Sequence, residues 1–165
     1  MFKIEKLSKN HKRENFDCGN SVLNEFLKKY ALQNQNKYYV GTTYVIIDDE
    51  NNVVAYITLS GISIKKAMLK EKYPYEELPA LLIARLAVDK MFQKKGLGKN
   101  LLIFAIKKAL KQAEEVGCIG IVVDAKEEAI NFYEKYDFEK IKNIYPVGQK
   151  MFLSLKTIKK GLKSD

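Results

Sequence analysis

At 165 residues the chain has room for one good hydrophobic core but not for two of usual size, and 47% hydrophobic with 30% charged residues is a soluble globular composition. One histidine, His11, and two distant cysteines, Cys18 and Cys118, give a zinc site or a Cys/His nucleophile pair almost nothing to draw on, so no metal is expected and the thiols read as buried or half-buried. The net charge of +9 rests almost wholly on lysine, arginine occurring only at Arg13 and Arg85; it favours polyanions, a cofactor's phosphates or a nucleic acid backbone, over a merely solvated surface only by argument from context.

No segment reaches the ~18 apolar residues of a membrane span, and the start of the chain lacks a secretory apolar region, so a cytoplasmic protein without membrane contact is expected. Phe2 to Leu7 alternates apolar and polar and reads as an edge strand with one buried face. Asn20 or Ser21 can cap a helix with Val22, Leu23, Phe26, Leu27, Tyr30 and Ala31 on its inner side, ending among residues 33–36. Thr42 to Ile47 and Val53 to Leu59 form a hairpin around the polar turn 48–52. Residues 62–79, with two prolines and a short lysine-rich helix near 65–71, read as an exposed excursion, either a cover for a substrate entrance or a plain surface connection.

The organising stretch follows. Leu81 to Val88 has the length of a buried strand, and after Gln93-Lys94-Lys95-Gly96-Leu97-Gly98-Lys99 the apolar period changes. Leu97, Leu101, Leu102, Ala105, Ala109, Ala113 and Val116 share one helical face. A strand, glycine loop and helix in this order aim unpaired N–H groups and the positive helix end at an anion, and glycines at 96 and 98 let a diphosphate come close. A Rossmann loop would need glycine at Leu101, and a P-loop would need glycine at Gln93 and Ser or Thr at Asn100. Beyond it lie a strand from Ile119 to Ala125, a short helix from Glu127 to Tyr136 with Ala129, Ile130 and Tyr133 on one face, a strand starting at Phe138, and a last strand from Met151 to Leu155. The order βα-ββ-(α)-βα-βα-ββ predicts an α/β fold, one mixed sheet with helices on both faces. Residues 1–155 are expected to form a single domain and 156–165 a basic tail without apolar pattern.

What remains, Gln-x-x-Gly-x-Gly after Arg85-Leu86-Ala87-Val88, resembles the pyrophosphate loop of the GNAT acyl-CoA-dependent N-acetyltransferases, whose element order is also this one. Ala129 to Phe138 resembles the GNAT segment A-x-x-F-Y-x-x-x-G-F, with Asp137 in place of the glycine and Lys126 where many members have asparagine. Phe16-Asp17-Cys18-Gly19, Leu23-Asn24-Glu25-Phe26-Leu27 and Leu78-Pro79-Ala80-Leu81-Leu82 are similar to the GNAT toxins of bacterial toxin–antitoxin pairs. Those toxins acetylate the amino group of aminoacyl-tRNA and are neutralised by a small ribbon-helix-helix antitoxin.

The resemblance implies acetyl-CoA held by the backbone of Leu86, Ala87 and Val88, by Gln93, Lys94, Lys95, Gly96, Leu97, Gly98 and Lys99, and by Asn131 and Phe132 of the later helix. It places Tyr133 as the general acid for the departing thiolate; a core aromatic is the plainer reading of that residue. A thiol titrates near 8.5 and a tyrosine near 10, so a phenol is an adequate donor, and an amine titrating near 8 or below needs no strong protein base. Arg85 is a cation in an apolar run, paired with a carboxylate or with a phosphate. Arg85, Lys65, Lys66, Lys70 and Lys72 are candidates for RNA phosphate, and a homodimer is expected. A polyamine, small-molecule or protein N-terminal acetyltransferase, and a non-catalytic acyl-CoA-sensing or nucleic-acid-binding module, remain alternatives.

Overall fold

In the computed structural model, which describes residues 2–142 and 148–163, seven strands form one mixed sheet in the order β1-β2-β3-β4-β5-β7-β6. The strands are β1 Lys3–Lys6, β2 Thr42–Ile47, β3 Val53–Lys65, β4 Glu77–Val88, β5 Gly120–Ala125, β6 Glu139–Lys140 and β7 Gln149–Ser154. The helices are α1 Ser21–Glu25, α2 Ala31–Asn36, α3 Leu97–Glu115, α4 Ile130–Lys135 and α5 Leu155–Lys163. β1, β2 and β3 pair antiparallel, β4 and β5 pair parallel, and β7 runs antiparallel to both β5 and β6. The expected α/β fold with a mixed sheet is present.

The contacts gather the chain into two compact units, residues 1–60 with 84–104 and residues 61–83 with 105–165. In the first, Asn20 caps α1 as expected, its Oδ1 accepting from the Val22 and Leu23 amides. Between α1 and α2 the helix widens into a π-helical turn, Phe26–Tyr30, which shifts the apolar stripe out of phase. Phe26, Leu27 and Ala31 are therefore buried, while Val22 and Tyr30, expected on the inner side, face solvent. Tyr56 sits at the centre of this core between the rings of Phe16 and Phe26, and its hydroxyl donates to the Leu23 carbonyl at 2.8 Å. Buried Gln35 joins three segments: its Nε2 donates to the Leu7 carbonyl and its Oε1 accepts from the Thr43 amide, both at 2.9 Å. The edge strand β1 is where the sequence puts it, but all four of its residues are exposed, and burial falls instead on Leu7 just beyond.

In the second unit, Ile64, Leu78, Ala80, Val122, Ile141 and Phe152 form the core. The excursion is shorter than 62–79, because β3 runs on to Lys65 and β4 starts at Glu77; the lysine-rich helix is a single 3₁₀ turn, Lys66–Met68. Pro79 is accommodated inside β4, where its carbonyl accepts from the Ile119 amide at 2.9 Å. The basic tail is a helix, α5, with Ile158 buried and Leu162 exposed; residues 164 and 165 lie outside the described residues. Cys118 is buried and Cys18 half-buried, both free thiols, with burial raising the pKa of each.

Candidate functional site

β4 ends at Val88 and a tight turn leads into the glycine loop. The Asp89 amide donates to the Val54 carbonyl at 2.8 Å, and the Asp89 carbonyl accepts from the Phe92 amide at 2.8 Å. Lys94 and Gly96 both take left-handed backbone conformations, φ +66° and +81°. Gly96 serves there without steric cost, whereas the same conformation at Lys94 is uncommon for a side chain of that size. The first backbone bond of α3 joins the Asn100 amide to the Gly96 carbonyl at 3.0 Å, so by helix geometry the Leu97, Gly98 and Lys99 amides precede the hydrogen-bonded ladder. A Cβ on Gly96 would meet no atom within 4 Å, so the space beside that residue is open. Lys94, Lys95 and Lys99 are exposed around it. Amides at the start of a 19-residue helix with lysines beside them suit an anion.

The structure adds local detail at two of the residues named for this loop. Gly98 is already helical, so only Gly96 needs the conformational freedom of glycine. Gln93 turns its side-chain amide back onto the strand, Nε2 donating to the Val88 carbonyl at 3.1 Å, so that carbonyl is already engaged. Parallel pairing of β4 with β5 joins Leu81, Leu82 and Ile83 to Ile121, Val122 and Val123; Leu86, Ala87 and Val88 lie past the last of these pairs on β4.

Arg85 is half-buried, and its guanidinium lies over the Phe26 ring, 3.6 Å from the ring centroid. Among the described residues it forms no ion pair with a carboxylate, and stacking on a buried aromatic accounts for its position.

In the second unit, Tyr133 is 5% exposed on α4, its ring edge-on to Phe132 and Phe138 at 5.1 and 5.2 Å. Among the described residues its hydroxyl has no hydrogen-bond partner, and burial pushes its pKa up to about 12. Asn131 is exposed and Phe132 half-buried on the same helix. Asp137 adopts φ +69°, doing the work of the glycine it replaces, as aspartate can.

The lysines of the excursion divide. Lys66 pairs with Glu76 at 3.1 Å and Lys70 with Glu139 at 3.8 Å. Lys70 also lines an open recess of about 720 Å³ in which Glu134, Asp137 and Glu139 are balanced by Lys140 and Lys160. Lys65 and Lys72 are exposed. His11 is buried, Nδ1 accepting from the Ser8 amide at 3.0 Å and Nε2 2.8 Å from Glu5, so the ring is committed to structure.

Sequence reasoning passed over Asp17, Asp89 and Lys90. Asp17 Oδ2 lies 3.0 Å from Lys90 Nζ, and the Asp17 amide donates to Asp89 Oδ2 at 3.0 Å. The signal was an Asp two residues before a glycine, an Asx-turn pattern, read only as part of a family motif.

Residues 40–140 match the family described as acetyltransferase (GNAT) domain. The chain is 33% identical over 129 residues to a tRNA-acetylating toxin of Mycobacterium tuberculosis, covering 75% of this chain and 76% of that protein. The structure of AtaT complexed with acetyl-methionyl-tRNAfMet superposes with a TM-score of 0.89 at 28% identity, covering 98% of this chain and 99% of that one. A tyrosine-to-phenylalanine variant of AtaT, bound to the C-terminus of the antitoxin AtaR and acetyl-CoA, gives 0.80 at 26% identity over 98% of each chain.

Proposed function

The chain belongs to the GNAT acetyltransferases, and on that premise we propose that it moves an acetyl group from acetyl-CoA to the amino group of an aminoacyl-tRNA, as the toxin of a toxin–antitoxin pair. The observation that carries the reading is the anion cradle at the start of α3, left-handed Gly96 with open space beside it and Lys94, Lys95 and Lys99 alongside. Likeness to a tRNA-acetylating toxin over three quarters of the chain supports the choice of acceptor.

Acetyl-CoA, when bound, supplies the acetyl group as a thioester whose cleavage leaves a thiolate. The Leu97, Gly98 and Lys99 amides hold its diphosphate, and Lys94, Lys95 and Lys99 add positive charge. Tyr133 keeps its proton on Oη throughout the working pH range and gives it to the departing sulfur. No base is needed to free the attacking amine, since the neutral form is abundant near pH 8, and committed His11 offers none; the proton that the nitrogen sheds as the amide forms passes to water, from which Tyr133 Oη is refilled. Lys65 and Lys72 meet RNA phosphate, while Lys66 and Lys70 stay with their carboxylates. In this reading the protein works in the cytoplasm as a homodimer and is neutralised by a ribbon-helix-helix antitoxin. Among the described residues no helix is long and apolar enough to cross a membrane.

The test is acetylation of an aminoacyl-tRNA pool by the parental protein and by Tyr133→Phe. The variant keeps the ring packing and loses the donor, so acetyl-CoA affinity should persist while the rate drops by ~10²- to 10⁴-fold. A parental rate in a folded variant would place the acid elsewhere. Consumption of acetyl-CoA with polyamines and none with aminoacyl-tRNA would overturn the acceptor, and light scattering at the 19.0 kDa monomer mass across micromolar concentrations would overturn the dimer.

A further inference from the structure

Upstream of the glycine loop, a set of polar contacts joins the 16–24 segment to the turn after β4. Asp17 is at its centre. Its Oδ1 accepts from the Gly19 amide at 2.9 Å and from Asn24 Nδ2 at 3.0 Å. Its Oδ2 faces Lys90 Nζ at 3.0 Å, and its carbonyl accepts from the Lys90 amide at 2.9 Å. The Asp17 amide reaches Asp89, whose buried carboxylate also accepts from the Met91 amide at 2.9 Å. Asn24 completes the set by accepting from the Cys18 amide at 2.9 Å. Both the backbone and the side chain of Lys90 are thus held by one residue far away in sequence, four residues ahead of left-handed Lys94.

We propose that Asp17 is a positioning residue for the anion-binding loop: by gripping Lys90 from both ends, together with Asp89, it fixes the 89–92 turn and so the placement of Gln93 to Lys99. The inference rests on the reading that this loop holds the diphosphate of acetyl-CoA. Its physical logic is preorganisation. The Met91–Asp89 and Gln93–Val88 bonds fix the turn locally, and three contacts tie it to other segments: the Asp89 amide to the Val54 carbonyl, the Phe92 ring to Phe2, and, through both backbone and side chain of Lys90, the Asp17 contacts. A loop that presents amides to an anion gains affinity when its geometry is set before binding, because the ordering cost is already met. The Gly19 amide first, then Lys90, hold the Asp17 carboxyl well below the usual carboxylate range, so the pair with Lys90 stays charged wherever the enzyme works.

The experiment measures acetyl-CoA binding by calorimetry, and KM and kcat, for the full chain carrying Asp17→Asn, Lys90→Met, both together, or Lys90→Arg. Asp17→Asn and Lys90→Met should each raise KM for acetyl-CoA about tenfold with kcat within about twofold, because Tyr133 is untouched. The double variant should lose no more than either single one, and Lys90→Arg should restore binding. Lys90 is 61% exposed, so Lys90→Met folds even where Asp17→Asn does not. Gly96→Val separates the two ideas. If it weakens binding while Asp17→Asn or Lys90→Met binds as the parent does, the positioning role is overturned and the loop assignment stands. If the parental protein binds no acetyl-CoA, the loop assignment itself fails, and the inference with it.

Discussion

Gln93 Nε2 donates to the Val88 carbonyl oxygen at 3.1 Å, tying the first residue of the glycine loop to the last residue of the strand before it. The amide therefore braces the loop, and in the proposed reading the anion is left to backbone N–H groups and lysines. Gln93→Glu would set a carboxylate against that carbonyl and add a negative charge beside the proposed diphosphate. Acetyl-CoA affinity should fall by at least about tenfold, more than for neutral Gln93→Met, when both are titrated at low salt. Equal affinities for the two variants would show that no anion binds near this loop.

Tyr133 gives a pH prediction with a definite sign. Burial raises its pKa from the ordinary value near 10 to about 12, so the folded state favours the neutral phenol. That contribution to stability is complete below about pH 10 and is lost as pH rises through about 12. Parental protein should lose denaturation midpoint across this window more steeply than Tyr133→Phe, in which buried Tyr56 still contributes a fall of the same sign. The acetylation rate should likewise show no alkaline fall from loss of the acid below about pH 11, since the proton is still in place there. A rate that declines through pH 9 would assign the acid to a group of lower pKa.

Arg85 is predicted to act through Phe26. Arg85→Met keeps the apolar stem and removes the stacked cation, which should cost about 0.5–2 kcal/mol in chemical denaturation. Binding of aminoacyl-tRNA should keep its salt dependence, whereas loss of a phosphate contact would reduce the slope of log K against log salt by nearly one. A shallower slope for Arg85→Met would make the residue an RNA contact as well as a partner of Phe26.

Gly120 is the glycine whose packing tolerates nothing larger. A Cβ there would lie 2.3 Å from the Leu153 carbonyl oxygen and 2.8 Å from the Phe152 ring, and the carbonyl belongs to the β5–β7 ladder. Gly120→Ala should destabilise by about 3 kcal/mol or abolish soluble expression. Gly61→Ala, on β3 with no atom within 4 Å of its Cβ, should stay within about 0.5 kcal/mol of the parent and serves as the control.

Much of this protein was determined by local sequence. The change from an unbroken apolar run at residues 81–88 to a 3.6-residue period after Gly96 sets a strand, a loop and α3 in place, and Asn20 caps its helix through bonds to residues two and three positions on. The Phe-Tyr pair and the glycines marked the family for the same reason: their signals lie within a few residues of one another. The tertiary structure decided what depends on distant partners. Strands β3 and β4 run past their expected ends, and α5 forms where no apolar pattern was visible, burying Ile158. Gln35 looked like the polar end of a helix and is instead a buried bridge between Leu7 and Thr43. Asp17 and Asp89 meet across 72 positions of sequence, and Arg85 found an aromatic ring where composition suggested only a charge or a phosphate. A polar side chain carries its hydrogen-bonding capacity in its own chemistry, but which group satisfies it is fixed only when the chain closes around it.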